Sequence, residues 1–238
     1  MRETFAVVIL NRNPELARRL ILSIRQTHAK FPRVVVVRDG HQEGFGPGVE
    51  TVQGVEPFIF SRNANVGINH VGDLDVILCN DDTECVNQDA FERLANLASR
   101  HNVGLLAPLI DGGVGCDYQR FPLGYAEIGA AWDYPFFDFE GTICFPCVFI
   151  SRKAVREVGL LDEDYVDYGF DDDDYCIRMR DKGFRTCITP RIVHKHGSGG
   201  RDLLRGQNWS CSFAKNGPQK TNLEVFLRKH PDMAGKFR

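Results

Sequence analysis

The sequence of 238 residues lacks an apolar run long enough to cross a membrane. A membrane-spanning helix needs roughly 20 consecutive apolar residues, whereas the apolar run at the N-terminus is only Phe5–Leu10. That N-terminus also lacks the apolar core and cleavage site of a secretion signal. We therefore expect a cytoplasmic protein without a transmembrane segment and with reduced cysteines.

Two glycine-rich phosphate-binding motifs are absent as well. The sequence contains neither G-x-x-x-x-G-K-[ST] nor G-x-G-x-x-G, so it does not support a P-loop enzyme or a dinucleotide-binding enzyme. Hydrophobic residues make up 43% and charged residues 26% of the chain. These fractions are typical of globular proteins and exclude a wholly disordered or collagen-like chain.

The eight cysteines do not form a recognisable zinc motif. Cys144 and Cys147 have C-x-x-C spacing, but no clear second Cys or His pair accompanies them, as a zinc module would require. Most of the cysteines lie in apolar runs, where a free thiol behaves as a small hydrophobic side chain. We therefore predict that they are reduced core residues.

The small net charge of −3 conceals an uneven distribution. Residues 175–238 contain 14 basic and 4 acidic residues, whereas residues 1–174 contain 15 basic and 28 acidic residues. Two interpretations of the basic segment stay open. It binds an anionic partner, or its charges pair with the acidic body.

Strand-like and helix-like patterns alternate along the chain, which predicts an α/β fold with a mostly parallel central sheet flanked by helices. A further strand is expected at 50–55 or at 57–61. The other predicted strands are 5–10, 33–38, 75–79, 103–110, 142–151, 185–188 and 192–194. The predicted helices are 15–27, 88–101, 153–158, 171–182 and 222–229.

Polar side chains follow three of these strands. They are Asn11-Arg12, Asp39-Gly40 and Asn80-Asp81-Asp82. Ligands bind at the carboxyl ends of strands in such sheets, so the three clusters predict one site. Paired carboxylates suit Mg²⁺ or Mn²⁺. The alternative for Asp81 and Asp82 is a solvated turn that caps a helix.

A second acidic cluster covers residues 162–174, with eight acidic and no basic residues. Such a density of carboxylates needs a cation or a basic partner, and one carboxylate of Asp171–Asp174 could act as a general base. Ordinary helix capping is the alternative. Further along, His194 and His196 precede a Gly-rich stretch. Imidazole ligates Mn²⁺-like ions, although a structural histidine is equally consistent with this pattern.

In this order, over roughly residues 4–200, the clusters resemble the family 2 glycosyltransferases of GT-A fold. The resemblance implies a metal-dependent, inverting transfer of a sugar from a nucleotide-diphosphate donor to an acceptor hydroxyl. Asn80-Asp81-Asp82-Thr83 is similar to the DxD-type motif, implying that Asp82 ligates Mn²⁺ or Mg²⁺ and that Asp81 assists at the donor sugar. The other positions that the resemblance assigns to the donor are Asn11, Arg12, Asp39, Asn65 and Gly67.

The segment Tyr168–Arg178 resembles the family's F-E-D-x-D-x-x-x-R motif. This match implies that Asp171 and Asp172 are the acid pair, with Asp172 as the preferred base, and that His194 completes the metal site. It also implies a catalytic domain at 1–200, with a donor half at 1–110 and an acceptor half at 111–200. A basic extension of loop plus helix would then occupy 201–238.

The acceptor is not identified by any motif. An anionic acceptor would suit the basic segment, either a nucleic acid with a hydroxylated base or a lipid-linked glycan. Aromatic side chains could stack on a sugar or a base, or belong to the core. They are Trp132, Tyr134, Phe136 and Phe137. Two other functions stay open, a non-catalytic nucleotide-sugar-binding protein and a nucleotidyltransferase.

Overall fold

A computed structural model of the chain describes residues 4–114, 117–120, 135–197 and 218–237. The strands are β1 (Phe5–Asn11), β2 (Val34–Arg38), β3 (Val49–Gln53), β4 (Asp75–Asn80), β5 (Thr83–Cys85), β6 (Val103–Gly112), β7 (Phe137–Asp138), β8 (Cys147–Ile150) and β9 (Arg185–His196). The helices are α1 (Pro14–Thr27), α2 (Phe60–His70), α3 (Ala90–Arg100), α4 (Arg152–Val158), α5 (Asp171–Asp181) and α6 (Pro218–Lys229).

The strands form one mixed sheet in the order β3-β2-β1-β4-β8-β6-β9-β5, and β7 pairs with β9. The first four strands in this order are parallel. Strand β8 lies antiparallel between β4 and β6, and β6 runs parallel to β9. The predicted α/β class is confirmed, with the parallel part of the sheet concentrated at one side.

Helices cover both faces of this sheet. Buried residues of α2, α4 and α5 pack with one core cluster, and those of α1 and α3 pack with the other. Helix α1 shows how the sequence sets its start. The Asn13 side chain accepts a hydrogen bond from the Glu15 amide, and Pro14 occupies the first helical position. None of the helices in the described ranges is long and apolar enough to span a membrane.

Several segments of the structure differ from the prediction. A strand at 57–61 is wrong because α2 begins at Phe60, whereas the alternative near 50–55 matches β3. Helix α2 was not predicted, because its asparagines and Gly67 are weak helix formers. It forms because Ala64 and Ile68 are fully buried against the sheet. The short strands at 185–188 and 192–194 are one strand, β9, with an irregularity in its pairing to β6.

Helix α6 packs on the acidic loop of residues 162–170 and thereby links the basic segment to the acidic body. The fully buried Asn222 accepts a hydrogen bond from the Val166 amide at 2.8 Å. Its Nδ2 donates to the carbonyls of Val166, Tyr168 and Gly169, at 2.7, 3.2 and 3.0 Å. Lys229 pairs with Asp164 at 2.7 Å.

We expect Asn222→Ala to lower the free energy of unfolding by about 1–3 kcal/mol, because it removes the hydrogen bonds that the buried Asn222 amide makes to the backbone of the acidic loop. Thermal and denaturant unfolding of the purified chain measure this change. Asn96→Ala, at an exposed position of α3, is the matched control and should leave stability nearly unchanged. Equal stability of Asn222→Ala and the wild type would contradict this function of Asn222.

Candidate functional site

Asp81 holds the end of β1 against the end of β4. Its Oδ2 accepts hydrogen bonds from the Asn11 side chain at 3.0 Å and from the Arg12 and Asn13 amides at 2.8 and 2.7 Å. Burial raises the pKa of Asp81, and these donors oppose the rise. Two of the three predicted strand-end clusters therefore meet directly.

The guanidinium of Arg12 brings the third cluster to the same place. It lies 3.9 Å from Asp39, at the end of β2, and 3.8 Å from Asp167 of the acidic loop. It also stacks on the ring of Phe58 at 4.8 Å from the ring centroid. Arg12 thus connects the strand-end site with the loop that leads into α5.

Asp82 lies beside His196. The His196 Nε2 is 3.3 Å from the Asp82 Oδ1, and the Gly197 amide donates to the Asp82 carbonyl at 2.9 Å. Although burial by itself would lower it, the contact with Asp82 raises the pKa of His196. Both side chains are partly exposed, so a carboxylate oxygen and an imidazole nitrogen face the same accessible space.

The structure does not bring His194 into this contact. Its side chain is fully buried, its ring stacks on Phe91 at 5.5 Å, and its Nε2 lies 3.4 Å from the Cys85 Sγ. Residues two apart share a face of a strand, so His194 and His196 have the same orientation. They differ in depth, because α3 covers His194 whereas His196 lies at the end of β9.

Asn65 and Gly67 fulfil packing functions in α2. The buried Asn65 side chain donates to the Leu161 carbonyl at 2.9 Å and to Glu163 at 2.8 Å, and it accepts from the Leu161 amide at 3.0 Å. A Cβ on Gly67 would lie 2.3 Å from a methyl carbon of Val8. Gly67 therefore allows α2 to approach β1 closely, and neither residue contacts the strand-end cluster in the described structure.

The acid pair lies at the start of α5. Asp171 is buried, and its Oδ1 accepts from the Gly169 amide at 2.8 Å. Burial raises the pKa of Asp171 to about 6 and that of Asp172 well above its ordinary value, and neighbouring Asp173 contributes to both shifts. Carboxylates with raised pKa values accept protons more readily than exposed ones, as general bases do.

Most of the remaining acids of the 162–174 cluster have basic partners within the chain. Asp174 pairs with Arg178 at 2.7 Å and with His230 at 2.9 Å. Lys229 lies between Asp162 and Asp164. These pairs neutralise the outer carboxylates and leave Asp171 and Asp172 without a basic partner among the described residues.

The segment before β8 connects α5 to the end of β4. Thr142 donates a hydrogen bond to Asp173, and the Ile143 amide donates to the Cys176 Sγ at 3.4 Å. Three residues after Ile143, the Pro146 carbonyl accepts from the Asn80 amide at 2.9 Å. One short segment therefore fixes the positions of α5 and of Asn80 relative to each other.

Sequence reasoning missed Asp167 and Thr142 and chose His194 before His196. The position of His196 at the end of β9, beyond the core, is the pattern that could have distinguished the two histidines. Nothing in the sequence pairs Arg12 with Asp167, because 155 residues separate them. Of the four aromatic candidates, Phe136 is buried and Phe137 is exposed, whereas Trp132 and Tyr134 lie outside the described residues.

Comparisons with known proteins agree with this architecture. The chain superimposes on GalNAc-T7 in complex with UDP, GalNAc and Mn²⁺ with a TM-score of 0.69 and 14% identity, over 98% of this chain and 51% of that one. It superimposes on the mannosyltransferase PcManGT from Pyrobaculum calidifontis, in complex with GDP-Man and Mn²⁺, with a TM-score of 0.60 and 16% identity. That match covers 84% of this chain and 59% of the mannosyltransferase.

The chain thus spans about half the length of these two structures. No protein-family model matches the sequence, and no curated protein matches it either. At this identity the likeness concerns the fold, and the fold is GT-A.

Proposed function

We propose that the chain is a metal-dependent glycosyltransferase that moves a sugar from a nucleoside-diphosphate donor to an acceptor hydroxyl, with inversion at the anomeric carbon. The observation that carries this proposal is the contact of Asp82 with His196 beside the Asp81 clamp in a GT-A fold. Arg12, next to this clamp, contacts Asp167 in the loop that leads to the carboxylates at the start of α5. Both structural neighbours are complexes of a nucleotide or nucleotide sugar with Mn²⁺, which supports the donor class.

Asp82 and His196 would hold the metal ion. An oxygen and a nitrogen 3.3 Å apart fit two adjacent positions around one Mn²⁺ or Mg²⁺ ion, and carboxylate and imidazole are suitable ligands. When bound, the ion stabilises the negative charge on the leaving nucleoside diphosphate. Asp81 then has a positional function, because its three hydrogen bonds fix the turn after β1 next to Asp82.

Arg12 and Asp39 would bind the nucleoside. The Arg12 guanidinium is partly exposed between Asp39 and Asp167, so it can donate to a phosphate or a ribose while it keeps the two loops together. Asp39 can accept from the base or the ribose. Asn11 is buried and hydrogen-bonded to Asp81, and it thereby stabilises the position of the neighbouring Arg12.

Asp172 would be the base that accepts the proton of the acceptor hydroxyl. Burial raises the pKa of Asp172 well above its ordinary value, which suits a carboxylate that accepts a proton. Asp172 lies on α5, whereas Asp82 follows β4. Asp171 is fixed by the Gly169 amide and so is better suited to orient the loop. Direct displacement by a deprotonated hydroxyl inverts the anomeric carbon.

Release of nucleoside diphosphate from a panel of UDP- and GDP-linked sugars tests the proposal. With Mn²⁺ present, we expect one donor to be cleaved slowly in the absence of acceptor and to raise the melting temperature, and EDTA to abolish both effects. Saturation at 100 times Kd stabilises a protein by about 2.7 kcal/mol. A folded chain that no donor stabilises would contradict the proposal, and stabilisation without cleavage would favour a non-catalytic binding protein.

A further inference from the structure

Three side chains that are far apart in the sequence meet inside the core below the proposed active site. Cys79 on β4, Cys147 on β8 and His194 on β9 each place a ligand atom within 4.8 Å of the other two. All three residues are 0% exposed. The C-x-x-C pair of the sequence is therefore divided, since Cys147 belongs to this cluster and Cys144 does not.

The sulfur–sulfur distance in the cluster matches that of a tetrahedral zinc site. The Sγ atoms of Cys79 and Cys147 lie 3.7 Å apart, and two sulfurs bound to one zinc at about 2.3 Å lie about 3.8 Å apart. Cys85 lies beside this cluster and contacts the imidazole, with its Sγ 3.4 Å from the His194 Nε2.

The environment of His194 is a second observation that supports a metal ion in this cluster. Its Nδ1 is buried and has no hydrogen-bond partner within the described part of the chain. A buried polar atom without a partner costs about 1–3 kcal/mol, so the imidazole needs an electron-pair acceptor that the surrounding apolar side chains do not provide. A metal ion bound at this Nδ1 would satisfy it.

We propose that Cys79, Cys147 and the Nδ1 of His194 bind one structural zinc ion. Cysteine sulfurs and imidazole nitrogens are the usual ligands of structural zinc, and the contact of Cys85 with the other ring nitrogen fixes the orientation of the imidazole. The thiol protons leave to solvent as the thiolates bind the ion. The ion would join β4, β8 and β9, and two of these strands, β4 and β9, lead directly into Asp82 and His196.

This site is independent of the proposed activity, because its ligands differ from those of the Mn²⁺ site. The first measurement is the zinc content of the full-length chain purified without chelators, for which we expect about one zinc per chain. The second replaces zinc by Co²⁺, which should produce a near-ultraviolet thiolate-to-cobalt charge-transfer band. Both measurements use the wild-type chain, so they remain informative if a variant does not fold.

Variants assign the band to these residues. We expect Cys79→Ser and Cys147→Ser to remove it, whereas Cys187→Ser should retain it because Cys187 is equally buried but outside the cluster. Asp82→Ala should also retain the band, since its carboxylate belongs to the other site. A wild-type chain without bound zinc and without the cobalt band would overturn the proposal, as would a band that persists in Cys147→Ser.

Discussion

Asp82→Ala is expected to lower metal-dependent cleavage of the donor by about a thousandfold or more, because the metal stabilises the leaving group by several kcal/mol. The variant should also lose most of its affinity for Mn²⁺, which titration calorimetry measures directly. His196→Ala should weaken Mn²⁺ binding in the same way, since its Nε2 lies 3.3 Å from the Asp82 carboxylate.

Glu84→Ala is the matched control for this experiment. Glu84 lies two residues from Asp82 on the same segment, but its carboxylate pairs with Arg19 of α1 at 2.7 Å. Its replacement should leave Mn²⁺ affinity and donor cleavage nearly unchanged. Full activity of Asp82→Ala, or activity that does not respond to EDTA, would exclude a metal site at this position.

Asp172→Asn is expected to reduce sugar transfer by about 10²–10⁴-fold, the usual contribution of a general base. The binding of donor and of Mn²⁺ should be unchanged, because Asp172 lies on α5 and not on the strands that hold them. The thermal shift with donor measures donor binding, and the rate of transfer to an acceptor measures catalysis. Asp181→Asn, at the exposed end of the same helix, is the control and should retain full transfer.

The pH dependence of transfer tests the same base. Burial raises the pKa of Asp172 well above its ordinary value and that of Asp171 to about 6, and only the deprotonated carboxylate accepts a proton. The rate should therefore rise with pH through the raised pKa and then level off. Asp172→Asn should abolish this rise. If instead Asp171→Asn abolishes it while Asp172→Asn does not, the base is Asp171.

The sequence was sufficient for the features that depend on local patterns. Continuous β-branched runs predicted β1 and β2, and the polar residues at the strand ends predicted that Asn11, Asp39 and Asp81 lie close together. The start of α5 was evident from its four aspartates. Each of these features depends on residues that are neighbours in the chain, or it follows from the geometry of a parallel sheet.

Contacts between distant residues could not be predicted from one sequence. The imidazole beside Asp82 belongs to His196, which lies 114 residues further along the chain. Whether His194 or His196 reaches Asp82 depends on where β9 emerges from the core. The Cys79, Cys147 and His194 cluster depends on the order of four strands. Helix α2 forms through burial of one face, which overrides the weak helix propensity of its residues.

The order of strands in the sheet has a consequence for synthesis of the chain. Strands β1 to β4 lie side by side and are complete once residue 80 has left the ribosome, so the Asp81 clamp can form early. Strand β8, and then β9 with His196, are added to this sheet much later. During translation, the half of the chain that we propose binds the nucleotide can therefore fold before His196 and Asp172, the proposed metal ligand and base, have been made.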